Sequence, residues 1–157
     1  MNVITLPEGS QIEEIGRWRL GGYEFHLKGL PFNNFPIQVG EGYVIRFEGS
    51  PGEVWEQSFT YSPVTNITYN LEFGFNLISI PLNLLAQLST AESMCLDINN
   101  QGGSATEVQT LPPGSENVDS NSWNKHVCGN IFDDFSLQDG SGYFVKVTNP
   151  SSWIVSE

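Results

Sequence analysis

Short stretches in which apolar residues alternate with polar or small ones recur along this chain. Phe73 to Ile80 follows that pattern apart from Phe75, Leu77 and Ile78, and Pro81 ends it, which predicts a strand. Tyr43–Phe47 and Tyr143–Val147 are rich in β-branched and aromatic residues, and each follows a Gly-x-Gly triplet. Both read as strands entered through backbone that must turn or pass close to a neighbour. Segments 53–61 and 64–71, divided by Ser62-Pro63, supply two more. One helix is expected. Ser89-x-x-Glu92 has the spacing of a capping box, Ala91 to Ile98 forms the body, and Asn99, Asn100, Gly102 and Gly103 stop it. The total of about ten strands and one helix predicts a mainly β fold. The expected form is an antiparallel sandwich or compact barrel of two related sub-units, with one short helix near 90–99.

The two sub-units come from self-similarity. Val3-Ile-Thr-Leu-Pro-Glu-Gly-Ser10 returns as Val108-Gln-Thr-Leu-Pro-Pro-Gly-Ser115, and Trp18 returns as Trp123 in the same register. After a length difference the register changes: His26-x-x-Gly29 matches His126-x-x-Gly129. Phe32-Asn-Asn-Phe35 through Gly40-Glu-Gly42-Tyr43 matches Phe132-Asp-Asp-Phe135 through Gly140-Ser-Gly142-Tyr143. Trp55 and Trp153 close the two copies. So many Trp, His, Gly and Tyr in one order indicate duplication. The copies are unequal, because only the second has an opening half, Gly74-Phe-Asn-Leu-Ile-Ser-Ile-Pro81 and the helix. The division expected is a partial first repeat over 1–58, connecting strands over 59–71 and a complete second repeat over 72–157, packed as one structural unit.

The opening Gly74-Phe-Asn-Leu-Ile-Ser-Ile-Pro81 and the later Gly140-Ser-Gly-Tyr-Phe-Val-Lys146 resemble a repeat unit common in large secreted bacterial surface proteins. Its members read roughly Gly-Trp-Asn-Leu-Ile/Val-Ser-Leu-Pro and Gly-x-Gly-Tyr-Phe/Trp-Val, and Phe75 stands here where Trp is usual. The resemblance covers 72–155 fully and 3–56 for the later half. It implies an extracellular module and carries no catalytic residues with it.

Charge narrows the partners. With 18 acidic and 6 basic residues the net charge is −12, so phosphate backbones and anionic membrane surfaces are repelled, and nucleic acid is excluded as a natural ligand. No apolar run is long enough to span a bilayer. No signal peptide is visible, so an export signal and neighbouring modules are expected outside these residues. Only 15% of residues are charged while 39% are hydrophobic, a mixture that suits a folded, turn-rich β protein. Cys95 and Cys128 belong to no C-x-x-C pair, and in a secreted domain they are expected to form a disulfide. Closing a loop of about 34 residues contributes roughly 3–4 kcal/mol.

Candidate chemistry is sparse. His26 and His126 are the only histidines and share one repeat position. A duplicated structural role, each imidazole bonding a local backbone group, accounts for this better than a duplicated base. Ser/His/Asp combinations with Asp133 or Asp134 can be drawn, but no activating motif accompanies them. Asp133, Asp134 and Asp139 near Gly140 are candidate calcium ligands, and Asn33, Asn34 and Val39 replace them in the first copy. Trp18 and Tyr23 sit with Arg17 in the segment Arg17-Trp-Arg-Leu-Gly-Gly-Tyr23, expected to be loose and exposed. There, rings could stack on sugar faces.

These features predict a non-catalytic adhesion or scaffold module of a secreted or cell-surface protein, with no cofactor beyond calcium. Its partners would be protein or polysaccharide at the cell exterior. One alternative is a carbohydrate-binding module attached to a polysaccharide-active enzyme. Another is a strand-exchanging subunit of a surface filament, self-associating through the edge that the partial first repeat leaves open.

Overall fold

The structure, a computed structural model, describes residues 12–48, 63–111 and 123–157. Val3–Ser10, the strand expected at 53–61 with Trp55, and residues 112–115 lie outside that range. Among the described residues there are nine strands and two helices. All pairing is antiparallel, so the expectation of a mainly β, antiparallel fold with a short helix holds. Among the described residues no sheet closes into a barrel, and the arrangement is sandwich-like.

The first copy forms a three-stranded sheet in the order β2-β1-β3, from β1 (Ile12–Arg19), β2 (Gly22–Leu27) and β3 (Tyr43–Phe47). The second copy forms a four-stranded sheet, β5-β8-β6-β7, from β5 (Gly74–Ser79), β6 (Ala105–Thr110), β7 (Asn124–Val127) and β8 (Gly142–Val147). Both repeat one order: β2-β1-β3 corresponds to β7-β6-β8. Ile15 lies opposite His26 and Ile45, just as Val108 lies opposite His126 and Val145. The register breaks between Ile12 and Glu14 in one copy and between Ala105 and Glu107 in the other. A bulge repeated at one place is a built feature of the strand.

This pairing corrects the register read from sequence. Ile15, not Val3, is the counterpart of Val108, and Tyr23, not Trp18, is the counterpart of Trp123. The reason is a turn. In the first copy Leu20 and Gly21, both at positive φ (51 and 79), join β1 to β2 as a two-residue hairpin. In the second copy residues 111–123 intervene between β6 and β7. The segment expected to be loose is therefore a paired hairpin.

Helix α2 (Ala91–Asn100) lies on the inner face of the four-stranded sheet and buries Ala91, Met94, Cys95 and Ile98, one apolar stripe at helical spacing. Its cap is Thr90, whose side chain accepts from Ser93 N while Ser93 Oγ accepts from Thr90 N. The capping box thus sits one residue later than the sequence spacing suggests. A four-residue helix, α1 (Leu82–Leu85), precedes it and was not anticipated. A two-stranded ribbon of β4 (Asn66–Leu71) and β9 (Ser151–Ser156) completes this core. Trp153, fully buried, stacks on Tyr69 at 4.8 Å and donates its indole N–H to Asp97 of α2 at 2.7 Å.

The two copies meet on the other face. The Phe144 ring receives Trp18, Tyr23, Phe75 and Trp123, and Trp18 donates its N–H to the Phe75 carbonyl at 2.7 Å. Strand β5 also serves both copies. One edge pairs with β8, while the other receives Gly42 N on Leu77 O at 3.2 Å and gives Ser79 N to Gly40 O at 2.9 Å. Among the described residues the first copy places no strand of its own at that edge, and β5 bonds it at Gly40–Gly42.

The close approach makes a prediction. A Cβ on Gly42 would lie 2.7 Å from Leu77 Cγ and 2.9 Å from the Ile78 carbonyl oxygen, whereas one on Gly142 would stand 3.3 Å from a Leu77 methyl. Gly42→Ala is expected to cost about 1–3 kcal/mol by overpacking, and Gly142→Ala clearly less. Urea midpoints of the two variants measure the difference. Equal costs would contradict the joint.

Candidate functional site

The repeated residues act mainly as backbone joints. Tyr43 and Tyr143 both accept a hydrogen bond from the amide of the same upstream glutamine, Gln38 at 2.8 Å and Gln138 at 2.5 Å. The Tyr43 hydroxyl also donates to the Glu41 carboxylate. Burial, reinforced at Tyr43 by the Glu41 hydrogen bond, raises both hydroxyls above the ordinary tyrosine range.

The histidines share a place but not a partner. His26 Nδ1 lies 3.4 Å from the Phe32 carbonyl, the local backbone contact expected. His126 is fully buried and its Nε2 donates to Glu92 Oε2 at 2.7 Å, across to α2. Glu92 also accepts from Gly129 N at 2.9 Å. A carboxylate only accepts, so Nε2 carries a hydrogen. Nδ1 is buried and has no partner among the described residues. The two imidazoles belong to different sheets. Asp134, a triad candidate on paper, bonds the Glu92 amide at 2.9 Å rather than either ring.

Beside this pair Cys95 and Cys128 form the expected disulfide, with their Cα atoms 5.6 Å apart. Two spacings in the sequence foreshadow the cluster. Glu92-x-x-Cys95 puts both side chains on one helix face, and His126-x-Cys128 puts both on one strand face. Sequence reasoning had Glu92 in the cap. With Thr90 and Ser93 doing the capping, its carboxylate is released to reach His126.

The hydrogen bonds from His126 and then from the Gly129 amide hold Glu92 below the usual carboxylate range. In the window between the native and unfolded values the unfolded chain binds more protons, so stability rises with pH there. The contribution is complete above about pH 4.3, the ordinary glutamate value, and is lost as pH falls through the lower native one. Glu92→Ala is expected to cost about 1–3 kcal/mol at neutral pH, chiefly by leaving the buried His126 Nε2 without its acceptor. Denaturant midpoints of wild type and variant should converge on acidification. A gap independent of pH would contradict the pairing.

The other candidate residues disperse. Asp133, Asp134 and Asp139 are all exposed. Among the described residues the one set of three potential metal ligands within 4.8 Å is Glu92, Cys95 and His126, so the three aspartates do not converge. Arg17 and Trp18 point to opposite faces of β1. Arg17 pairs with Glu24 at 2.7 Å and lies 4.3 Å over the Phe35 ring, while Trp18 packs against Phe144. Tyr23 is 39% exposed and stacks on Phe25, itself 37% exposed, at 5.3 Å. The Phe25 ring lies over Gly16, where a Cβ would come within 2.6 Å.

Sequence reasoning missed a repeated exposed pair. Phe32 and Phe132 are 59% and 67% exposed. Each stands just before a residue in the left-handed region, Asn33 or Asp133, in matching loops. The signal was present in Phe-Asn-Asn-Phe and Phe-Asp-Asp-Phe: only the second phenylalanine of each packs inward. A hollow of about 380 Å³ between α2 and β9, lined by Ser93, Asp97, Gln101 and Ile154 among others, contains neither histidine. No helix among the described residues is long and apolar enough to cross a membrane. No family model, curated protein or solved structure matches the chain.

Proposed function

We propose that this chain is a non-catalytic adhesion or scaffold module of a secreted or cell-surface bacterial protein, binding protein or polysaccharide at the cell exterior. The observation that carries the reading is a division among repeated residues. Tyrosine and glycine positions make backbone joints and the histidines are buried, whereas Phe32 and Phe132 project outward in both copies. A side chain kept solely for packing is buried; a duplicated exposed ring suits contact with a partner. Immobilised protein should retain a surface protein or polysaccharide in an array. The double variant Phe32→Ser/Phe132→Ser should weaken retention about tenfold, roughly 1.4 kcal/mol, with no loss of thermal stability. Retention unchanged in that variant, or a hydrolytic activity that disappears in His126→Gln, would sink the proposal.

A carbohydrate-binding module is the second reading, favoured by the stacked and half-exposed Tyr23–Phe25 pair, with Leu27 beside it on β2. In this version Phe25 replaces Trp18 and Arg17 in the sugar platform. Affinity electrophoresis in polysaccharide gels separates the two readings. Retardation abolished by Phe25→Ala and unaffected by Phe32→Ser supports the second.

A further inference from the structure

The cluster beside α2 contains more ligand chemistry than a structural joint requires. Glu92, Cys95 and His126 each bring a ligand atom within 4.8 Å of the others, and Cys128 is bonded to Cys95. We propose that reduction of the Cys95–Cys128 disulfide converts this spot into a zinc site, with Cys95, Cys128, His126 and Glu92 as its donor set.

The donor types suit the ion. Zinc takes thiolate, imidazole and carboxylate ligands in a tetrahedron, and with bonds of 2.0–2.3 Å its ligand atoms stand about 3.3–3.7 Å apart. Among Glu92, Cys95 and His126 the present spacings bracket that value, from 2.7 Å between His126 Nε2 and Glu92 Oε2 up to 4.8 Å; Cys128, outside that group and bonded to Cys95, is the fourth ligand and turns in when the bridge opens. The backbone frame is set independently, by the Thr90–Ser93 cap on α2 and by the pairing of β7 with β6. The ligating nitrogen is Nε2: zinc takes the place of the hydrogen that His126 now gives to Glu92 Oε2, on a ring that is fully buried beside the helix.

The closed disulfide keeps the metal out, because the thiolate and not the disulfide sulfur is the effective ligand. Cys128 is only partly buried, so a reductant can reach it. Two equivalents of a small-molecule thiol reduce the bridge and leave joined as their own disulfide. The two cysteine thiols then release two protons as zinc binds. A small-molecule disulfide reverses the exchange: it takes two electrons from the cysteine pair and two protons from water, leaves as two thiols, and the ion is released as the bridge reforms.

The test uses the whole chain, reduced with a phosphine that is then removed, and titrated with cobalt(II). Reduced protein should bind one equivalent, with the visible bands of a tetrahedral site and a thiolate-to-cobalt charge-transfer band, both bleached by zinc. Oxidised protein should show neither. Glu92→Gln and His126→Gln should each weaken zinc binding about tenfold or more, and zinc should raise the unfolding temperature of the reduced protein. Reduced protein without these bands would overturn the proposal. So would undiminished affinity in both variants, which would mark binding by thiols alone. If the reduced chain loses its fold and zinc fails to restore its circular dichroism, the proposal is likewise overturned.

Discussion

Trp153→Ala is expected to be the most damaging single substitution, lowering stability by about 3–5 kcal/mol. The side chain is fully buried, stacks on Tyr69, and donates to Asp97 on α2. Removing it leaves a cavity where the β4–β9 ribbon meets the helix, and deprives Asp97 of a charge-assisted bond. For a chain of this length the unfolding temperature should fall by roughly 10 °C or more. Trp153→Phe separates the two losses, since it retains an aromatic ring against Tyr69 and lacks the donor. It should cost clearly less than the alanine variant. A change below about 1 kcal/mol for Trp153→Ala in denaturant unfolding would contradict the placement of this ribbon in the core.

The paired substitution Cys95→Ser/Cys128→Ser should cost about 3–4 kcal/mol, through the freedom regained by a long loop in the unfolded chain. The bridge ties α2 to the end of β7, and residues 112–122 lie within the loop it closes. Because much of the effect resides in the unfolded state, the folded variant should keep its circular dichroism and its Phe32/Phe132 surface. Partner binding per folded molecule should therefore match wild type. A variant as stable as the parent would show that packing and the bonds from His126 and Trp153 hold α2 without the bridge.

The sequence made some of this legible and hid the rest for identifiable reasons. Alternation and turn residues located β3, β5 and β8 to within a residue or two, because strand period and glycine placement are local properties. Two cysteines in an acidic, turn-rich chain pointed to the bridge. Register was not local. Val3–Ser10 matches Val108–Ser115 by eye, yet strand pairing equates Ile15 with Val108. One copy closes β1 onto β2 with the two residues Leu20-Gly21 and the other inserts a long connection, and composition does not reveal that asymmetry. Glu92 was noticed for the wrong role. Ser89-x-x-Glu92 and Thr90-x-x-Ser93 are both plausible caps, and only the helix start decides which carboxylate is left to face His126. Trp18 looked exposed because its neighbours are glycine and arginine. The opposing sheet, which covers it with Phe144, is distant in sequence.

The site's two halves also differ in what each residue type could announce. Paired histidines at one repeat position suggested a shared structural task. The structure gives each a different nitrogen and a different partner, because α2, which has no counterpart among the described residues of the first copy, brings Glu92 to His126. Phe32 and Phe132 were read as parts of a repeat, and their exposure follows from loop backbone that sequence does not display.

Native-state hydrogen exchange at the amides of Gly42 and Ser79 puts the account under the most direct pressure, for these two groups bond across the seam where one strand serves both copies. Slow exchange, comparable to that of amides in the β5–β8 ladder, is the expected result. Exchange at the rate of an open loop would mean that the copies are not joined through β5.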